Sequence, residues 1–184
     1  MNLIDLWAPI LLSAVFVFIA SSIVWMVMPW HKKDWSALPN EEPARSALKG
    51  VTPGQYMLPW CTRSQMKDPD FQRKVQEGPV AFLIVRPSGM AGMGRQFVLW
   101  FLWTLIVSVL VAYIVSRTLA PGTDYLAVFR VAGTVAWLTY AGATVSEAIW
   151  FGRSWRMVLG LQLDGLIYGL LTAGTFGWLW PTTA

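Results

Sequence analysis

The sequence predicts an all-α membrane protein: four transmembrane helices with a small cytoplasmic α/β lobe between the first and second. Three observations predict it. The 184 residues are 55% hydrophobic and only 13% charged, against roughly 25% charged in an ordinary soluble domain. Four apolar runs, at 6–28, 97–116, 125–151 and 157–180, each reach the ~20 residues that a helix needs to cross a hydrocarbon core about 30 Å thick. The lysines and arginines fall almost wholly on one side of those runs.

The first run, 6–28, lacks the positive flank of a secretory signal and exceeds the usual apolar core of one, so it reads as a permanent span. Inside lipid a backbone satisfies its own hydrogen bonds only as a helix or a closed barrel, and no alternating ten-residue segments suggest a barrel. Residues 1–30 therefore form the first helix, 31–96 the lobe, and 97–184 a three-helix region.

Orientation follows from the basic residues. Lys32, Lys33, Arg45, Lys49, Arg63, Lys67, Arg73, Lys74, Arg86 and Arg95 lie between spans one and two, and Arg153 and Arg156 lie between spans three and four. The other side has Arg117 and, inside span three, Arg130. The positive-inside rule puts the first set in the cytoplasm and both termini outside. Trp7, Trp178 and Trp180 at one boundary, with Trp25, Trp30, Trp100, Trp150 and Trp155 at the other, mark the two interfaces where indole rings settle. The same distribution accounts for the net charge of +4 without a nucleic-acid partner. Expected partners are the lipid bilayer and other membrane subunits or a second copy of the chain.

In the lobe, PNEEPARSALKG predicts a short helix starting near Asn40 or Glu41 and closing at Gly50. DPDFQRKVQEG predicts a second, with Asp68 as N-cap, Pro69 at the first helical position and Gly78 at the end. GQYMLPW and VAFLIVRP, bounded by glycine or proline, read as two strands that pair. PSGMAGMGR then leads back into the bilayer. Its glycines lack the strand-to-helix setting and the lysine of a phosphate-cradling loop.

Two patterns stand out in the last hairpin. Gly165, Gly169, Ala173 and Gly177 recur every four residues along span four, a ridge that admits a second helix at close range. Span three, the adjacent hairpin partner, is preferred over a second copy as the occupant. Beside the ridge runs a polar stripe, Asp164, Tyr168 and Thr172, with Thr175 a turn on, and span three offers Tyr140, Thr144 and Glu147. Glu147 lies six residues before Arg153 and Asp164 eight after Arg156, or about 9 and 12 Å at helical rise, so the two carboxylates are expected at similar depth. An ionised carboxylate in lipid is costly, which predicts an inward polar seam. There the acids pair with each other, with Arg153 or Arg156, or with the hydroxyls. Arg130 is expected to snorkel or to pair with Asp124 or Asp5.

Other chemistry is thin. One cysteine, Cys61, forms no internal disulfide and belongs to no zinc spacing. Met28, His31, Met57, Cys61, Met66, Met90 and Met93 supply soft donors of the kind that suit Cu(I), but at loose spacing. His31, in PWHKKDW, has no sequence-level partner that would make it a general base and is expected in the headgroup zone.

The strings MVMPWHKKDW, PGQYMLPW, MKDPD, GPVAFLIV, AIWFGRSW and DGLIYGLLTAGTFGWLWP resemble, over most of the chain, small four-helix bacterial inner-membrane proteins of unknown function. The C-terminal hairpin is also similar to a broader membrane family of unknown function, in which an aromatic-Phe-Gly turn precedes a glycine-ridged last helix. The resemblance implies the four-span architecture and a bacterial inner membrane, and implies no activity, substrate or cofactor. The expected function is that of a non-catalytic accessory, assembly or interaction component without a cofactor. The alternatives are a small proton- or cation-coupled transporter using Glu147 and Asp164, and a copper-handling membrane protein.

Overall fold

The computed structural model describes residues 2–89 and 92–182. They are mostly helical and fall into two compact units, one built from residues 2–36 and 92–182 and the other from residues 37–89.

The larger unit contains four helices long and apolar enough to cross a membrane. After a 3-10 turn at Leu3–Leu6, whose Asn2 N–H donates to the Asp5 carboxylate at 2.8 Å, α1 runs Trp7–Val27. Its Pro9 lies in the first turn, where a missing N–H costs no helical bond. A 3-10 turn at Pro29–His31 follows. The long helix α4 runs Gly94–Thr118, three residues earlier than the apolar run suggests. Span three runs Tyr125–Phe151 as expected, interrupted at residues 142–143 between α5 at Tyr125–Ala141 and α6 at Thr144–Phe151, and α7 runs Trp155–Trp178.

Packing proceeds around a closed ring: α1 on α4, α4 on α5, α5 on α7, and α7 back on α1, with the α5–α7 contact the most extensive. Inside it lies a core of Leu6, Val107, Val111, Val115, Val128, Ala132, Ala136 and Phe176. Polar groups cross the ring sparingly: Ser13 donates to Ser108 at 2.9 Å between α1 and α4, and the Trp100 indole donates to Ser21 at 2.7 Å. The outward faces carry exposed Leu11, Ile19, Ile23, Leu102, Ile106 and Leu170. Water would want polar residues there, whereas lipid accepts these.

The break in span three has a local cause. Gly142 packs against the preceding turn so closely that an added Cβ would lie 2.5 Å from the Leu138 carbonyl oxygen. One side chain from the neighbouring helix serves the break: the Gln162 amide on α7 donates to the Ala141 carbonyl at 2.7 Å and to the Thr144 hydroxyl at 2.8 Å. A carbonyl freed inside an apolar bundle needs such a partner.

The glycine ridge of α7 faces α5. A Cβ on Gly165 would stand 2.5 Å from Ala141 Cβ, one on Gly169 3.1 Å from Gly133 O and Trp137 Cβ, and one on Gly177 2.7 Å from the Tyr125 ring. Ala173 fills the place between them, against Gly133.

In the smaller unit, α2 spans Glu41–Ala47 and α3 spans Pro69–Glu77. Asp68 caps α3 by accepting the Asp70 N–H at 2.8 Å, and Gly78 ends it at φ 64°. Strands β1 (Gly54–Leu58) and β2 (Ala81–Val85) pair antiparallel, with Gly54 opposite Val85 and Leu58 opposite Ala81.

Candidate functional site

Where α1 ends, MVMPWHKKDW turns sharply because Pro29 cannot continue the helix, and the 3-10 turn it starts lays Trp30 and His31 against α7. Gly160 makes room: His31 Cε1 and Trp30 Cδ1 both lie 3.5 Å from where its Cβ would stand. His31 is buried, with Trp25 stacked on its ring at 4.1 Å between centroids and 4° between planes.

Both imidazole nitrogens meet carboxylates. Nδ1 lies 2.6 Å from Asp34 Oδ2, and Nε2 lies 2.8 Å from Asp164 Oδ2. The other oxygen of each acid is also engaged. Trp30 Nε1 donates to Asp164 Oδ1 at 3.0 Å, and Arg156, which donates to the Trp30 carbonyl at 2.8 Å, reaches Asp34 Oδ1 at 3.5 Å. The side chains of Asp34, His31 and Asp164 are 2%, 5% and 3% exposed. One imidazole thus bridges two buried carboxylates, with the Arg156 guanidinium beside Asp34.

Glu147 is not part of this cluster. It forms an ion pair with Arg153, with its side chain 42% exposed, while Asp164 is held by His31 and Trp30. Of the pairings expected for Glu147 the one with Arg153 is formed, and the one with Asp164 is not. Two local features explain the difference. The break at residues 142–143 interrupts the helical phase that would carry the Tyr140 face on to Glu147. Gly152 then ends α6 in the left-handed conformation, at φ 68°, and the chain turns Arg153 back onto Glu147. His31 is enclosed between α1 and α7, and Asp34 and Asp164 are partners that its sequence setting did not name.

The remaining seam residues divide. Tyr140 and Tyr168 meet edge to face at 5.4 Å, and Trp100 lies 6.4 Å from each. Thr144 serves the helix break, and Thr172 donates to the Tyr168 carbonyl at 2.9 Å. Arg130 is exposed, and among the described residues no carboxylate pairs with it: Asp124 caps α5 and Asp5 accepts from Asn2.

Next to Asp164 a cavity of about 550 Å³ opens between α1, α4, α5 and α7. Its wall is aromatic and aliphatic, with Trp25, Phe97, Trp100, Tyr140 and Tyr168 prominent. Both tyrosine hydroxyl oxygens are buried without a hydrogen-bond partner among the described residues.

As for metals, the described residues contain no group of three or more His, Cys, Asp or Glu placed to hold an ion. Of the expected copper set, His31 has both nitrogens hydrogen-bonded to carboxylates, and Met90 lies outside the described residues.

Little in the sequence announced the contacts of Trp30, Asp34, Trp100 and Gln162. The acids and His31 are 130 residues or more apart in the chain for the Asp164 contacts, and only HKKD, with histidine and aspartate at i and i+3, carried a local sign. Comparison with protein families, curated proteins and solved structures finds no match to this chain, so function has to be read from the residues themselves.

Proposed function

We propose that the chain is a multi-pass protein of the bacterial cytoplasmic membrane, with both termini outside, that acts without catalysis as an accessory or interaction component. One observation carries the reading. The concentrated polar chemistry of the bundle, Asp34–His31–Asp164, is satisfied on both imidazole nitrogens and all four carboxylate oxygens by the chain's own groups. A general base or nucleophile works through a lone pair aimed at a substrate, and each nitrogen and oxygen of this cluster already has a partner within the chain. What it does is clamp the end of α1 to α7. The basic residues of the 31–96 segment and of the Arg153–Arg156 turn support the orientation.

Cys61 tests that orientation, because it is the only cysteine in the sequence. A membrane-impermeant maleimide is expected to label it in inside-out vesicles and to leave it unlabelled in intact spheroplasts; the reverse pattern overturns the proposed topology.

A second reading, proton-coupled transport, has one observation in its favour: His31 bridges two buried carboxylates, and one of them, Asp164, borders the cavity. Its working groups would be Asp164 and His31 rather than Glu147 and Asp164. In proteoliposomes the accessory reading predicts no proton-linked flux above empty vesicles. Flux that Asp164→Asn abolishes and Glu147→Gln preserves would establish transport instead.

A further inference from the structure

We propose that the groove between α5 and α7 beside Arg130 seats an anionic phospholipid of the outer leaflet, its phosphate on the Arg130 guanidinium and one acyl chain along the apolar part of the groove. The proposal deepens the accessory reading by naming a ligand class, and it rests on that reading's placement of the bundle in lipid.

Arg130 raises the question. It lies on α5 five residues after Tyr125, about 8 Å into the span at helical rise. A cation at that depth is costly unless it meets an anion or reaches the headgroups. Arg130 is exposed, and among the described residues it has neither a carboxylate nor a hydrogen-bond partner. Thr134, one turn on, is also without a hydrogen-bond partner among them, whereas Thr139 of the same helix donates to the Val135 carbonyl at 2.7 Å.

Both residues line a groove of about 210 Å³, in which Arg130 is the one charged residue. Gly133 and Gly169 add no side chain to it, and Trp137, Leu166 and Leu170 make its apolar part. The order of these groups along the bundle is that of a lipid. Tyr125 and Trp178 mark the same end, since the Tyr125 ring lies against Gly177. Arg130 is the polar group nearest that end, whereas Trp137 and Leu166 each lie twelve residues in, at a depth of about 18 Å. A charged head near the surface and a chain directed inward match this sequence of walls.

Charge and volume select within amphiphiles. A phosphodiester accepts the guanidinium fork through two oxygens. No carboxylate lines the groove to receive the ammonium of a zwitterionic headgroup, so a lipid with net negative charge is favoured. Desolvation at this depth favours the neutral form of a fatty acid, whereas a phosphodiester keeps its charge. The volume is below the roughly 300–1,000 Å³ of sites that enclose a small molecule, so the groove holds part of a lipid whose remainder stays in the bilayer. A free phosphate would leave the apolar part empty, and a sterol or hydrocarbon would leave the guanidinium unpaired.

The test is native mass spectrometry of the purified full chain, delipidated in detergent and titrated in turn with dioleoyl phosphatidylglycerol, dioleoyl phosphatidylcholine, oleate and glycerol phosphate. Thermal melting is followed in parallel. The expected result is one phosphatidylglycerol per chain bound about tenfold more tightly than any of the other three. Arg130→Gln is expected to weaken that binding about tenfold, the scale of one charge-assisted hydrogen bond, and Arg130→Lys, which keeps the charge without the fork, to recover part of the loss. Without lipid Arg130→Gln is expected to melt with the parent, because the guanidinium has no partner in the chain. Saturating phosphatidylglycerol raises the melting temperature of the parent and not of this variant. Equal binding of phosphatidylcholine, oleate or glycerol phosphate, unchanged affinity in Arg130→Gln, or a lysine variant no better than the glutamine one overturns the proposal. So does a lowered lipid-free melting temperature, since Arg130 would then serve the fold. Failure of the proposed topology would show separately, in the Cys61 labelling pattern.

Discussion

Two carboxylates sit in the C-terminal hairpin, and their surroundings set their consequences apart. Asp164 is enclosed and bonded to His31 and Trp30. Removing one partner of such a buried pair leaves an uncompensated charge, typically at a cost of about 3–5 kcal/mol. His31→Gln is therefore expected to destabilise the bundle by that order in reversible unfolding from bicelles. Glu147 is half-exposed and pairs with Arg153; exposed pairs contribute about 0–1 kcal/mol, so Glu147→Gln is expected to change stability by less than about 1 kcal/mol. Equal losses from the two substitutions would contradict the different roles assigned here. The carboxylates were both visible in the sequence as anomalies in apolar runs, but their partners were not. Helical spacing places residues on a face, whereas the imidazole reaches Asp164 through a tertiary fold-back that begins at Pro29.

Helix periodicity made the spans legible, because a run of about 20 apolar residues has few alternatives in lipid. It also exposed the glycine ridge, which meets α5 through Gly165, Gly169 and Gly177. Gly165→Ala drives a methyl to 2.5 Å from Ala141 Cβ and is expected to cost about 1–3 kcal/mol by overpacking, read in the same unfolding assay. The break at Gly142 was hidden, since neither proline nor a polar run announces it and the compensating Gln162 lies on another helix. Gln162→Leu leaves the Ala141 carbonyl with the Thr144 hydroxyl as its remaining partner and is expected to cost about 0.5–1.5 kcal/mol, with faster amide hydrogen exchange confined to residues flanking the break. In the smaller unit the strands and both short helices were legible from their proline, glycine and aspartate boundaries. Its α3 carries an exposed network in which Lys74, then Arg73, holds the Asp70 carboxyl below the ordinary carboxylate range. Because the folded value is the lower one, the stabilisation is present above the unfolded value and is lost as pH falls through the folded one. Protection of α3 amides from exchange is thus expected to decline in acid below the usual carboxylate range, and Asp70→Asn is expected to flatten that decline.

At the scale of the whole molecule, the four apolar helices close into a ring whose weakest covalent logic is at its ends. A short turn joins α4 to α5 and α6 carries the chain from α5 to α7, but α1 is separated from α4 by the 37–91 unit in sequence. Its packing on α7 depends on tertiary contacts alone. At one end Gly122 donates to the Pro181 carbonyl at 2.8 Å and the Trp180 indole to the Ala120 carbonyl at 3.0 Å, tying the α4–α5 turn to the chain beyond α7. At the other end the tie between α1 and α7 is the Trp30–His31–Asp34 turn gripping Asp164 and Arg156. That clamp is the central claim, and a double-mutant cycle on His31→Gln and Asp164→Asn in bicelle unfolding measures it directly. The account predicts a coupling of about 1–3 kcal/mol between the two sites; additivity to within about 0.5 kcal/mol would contradict it.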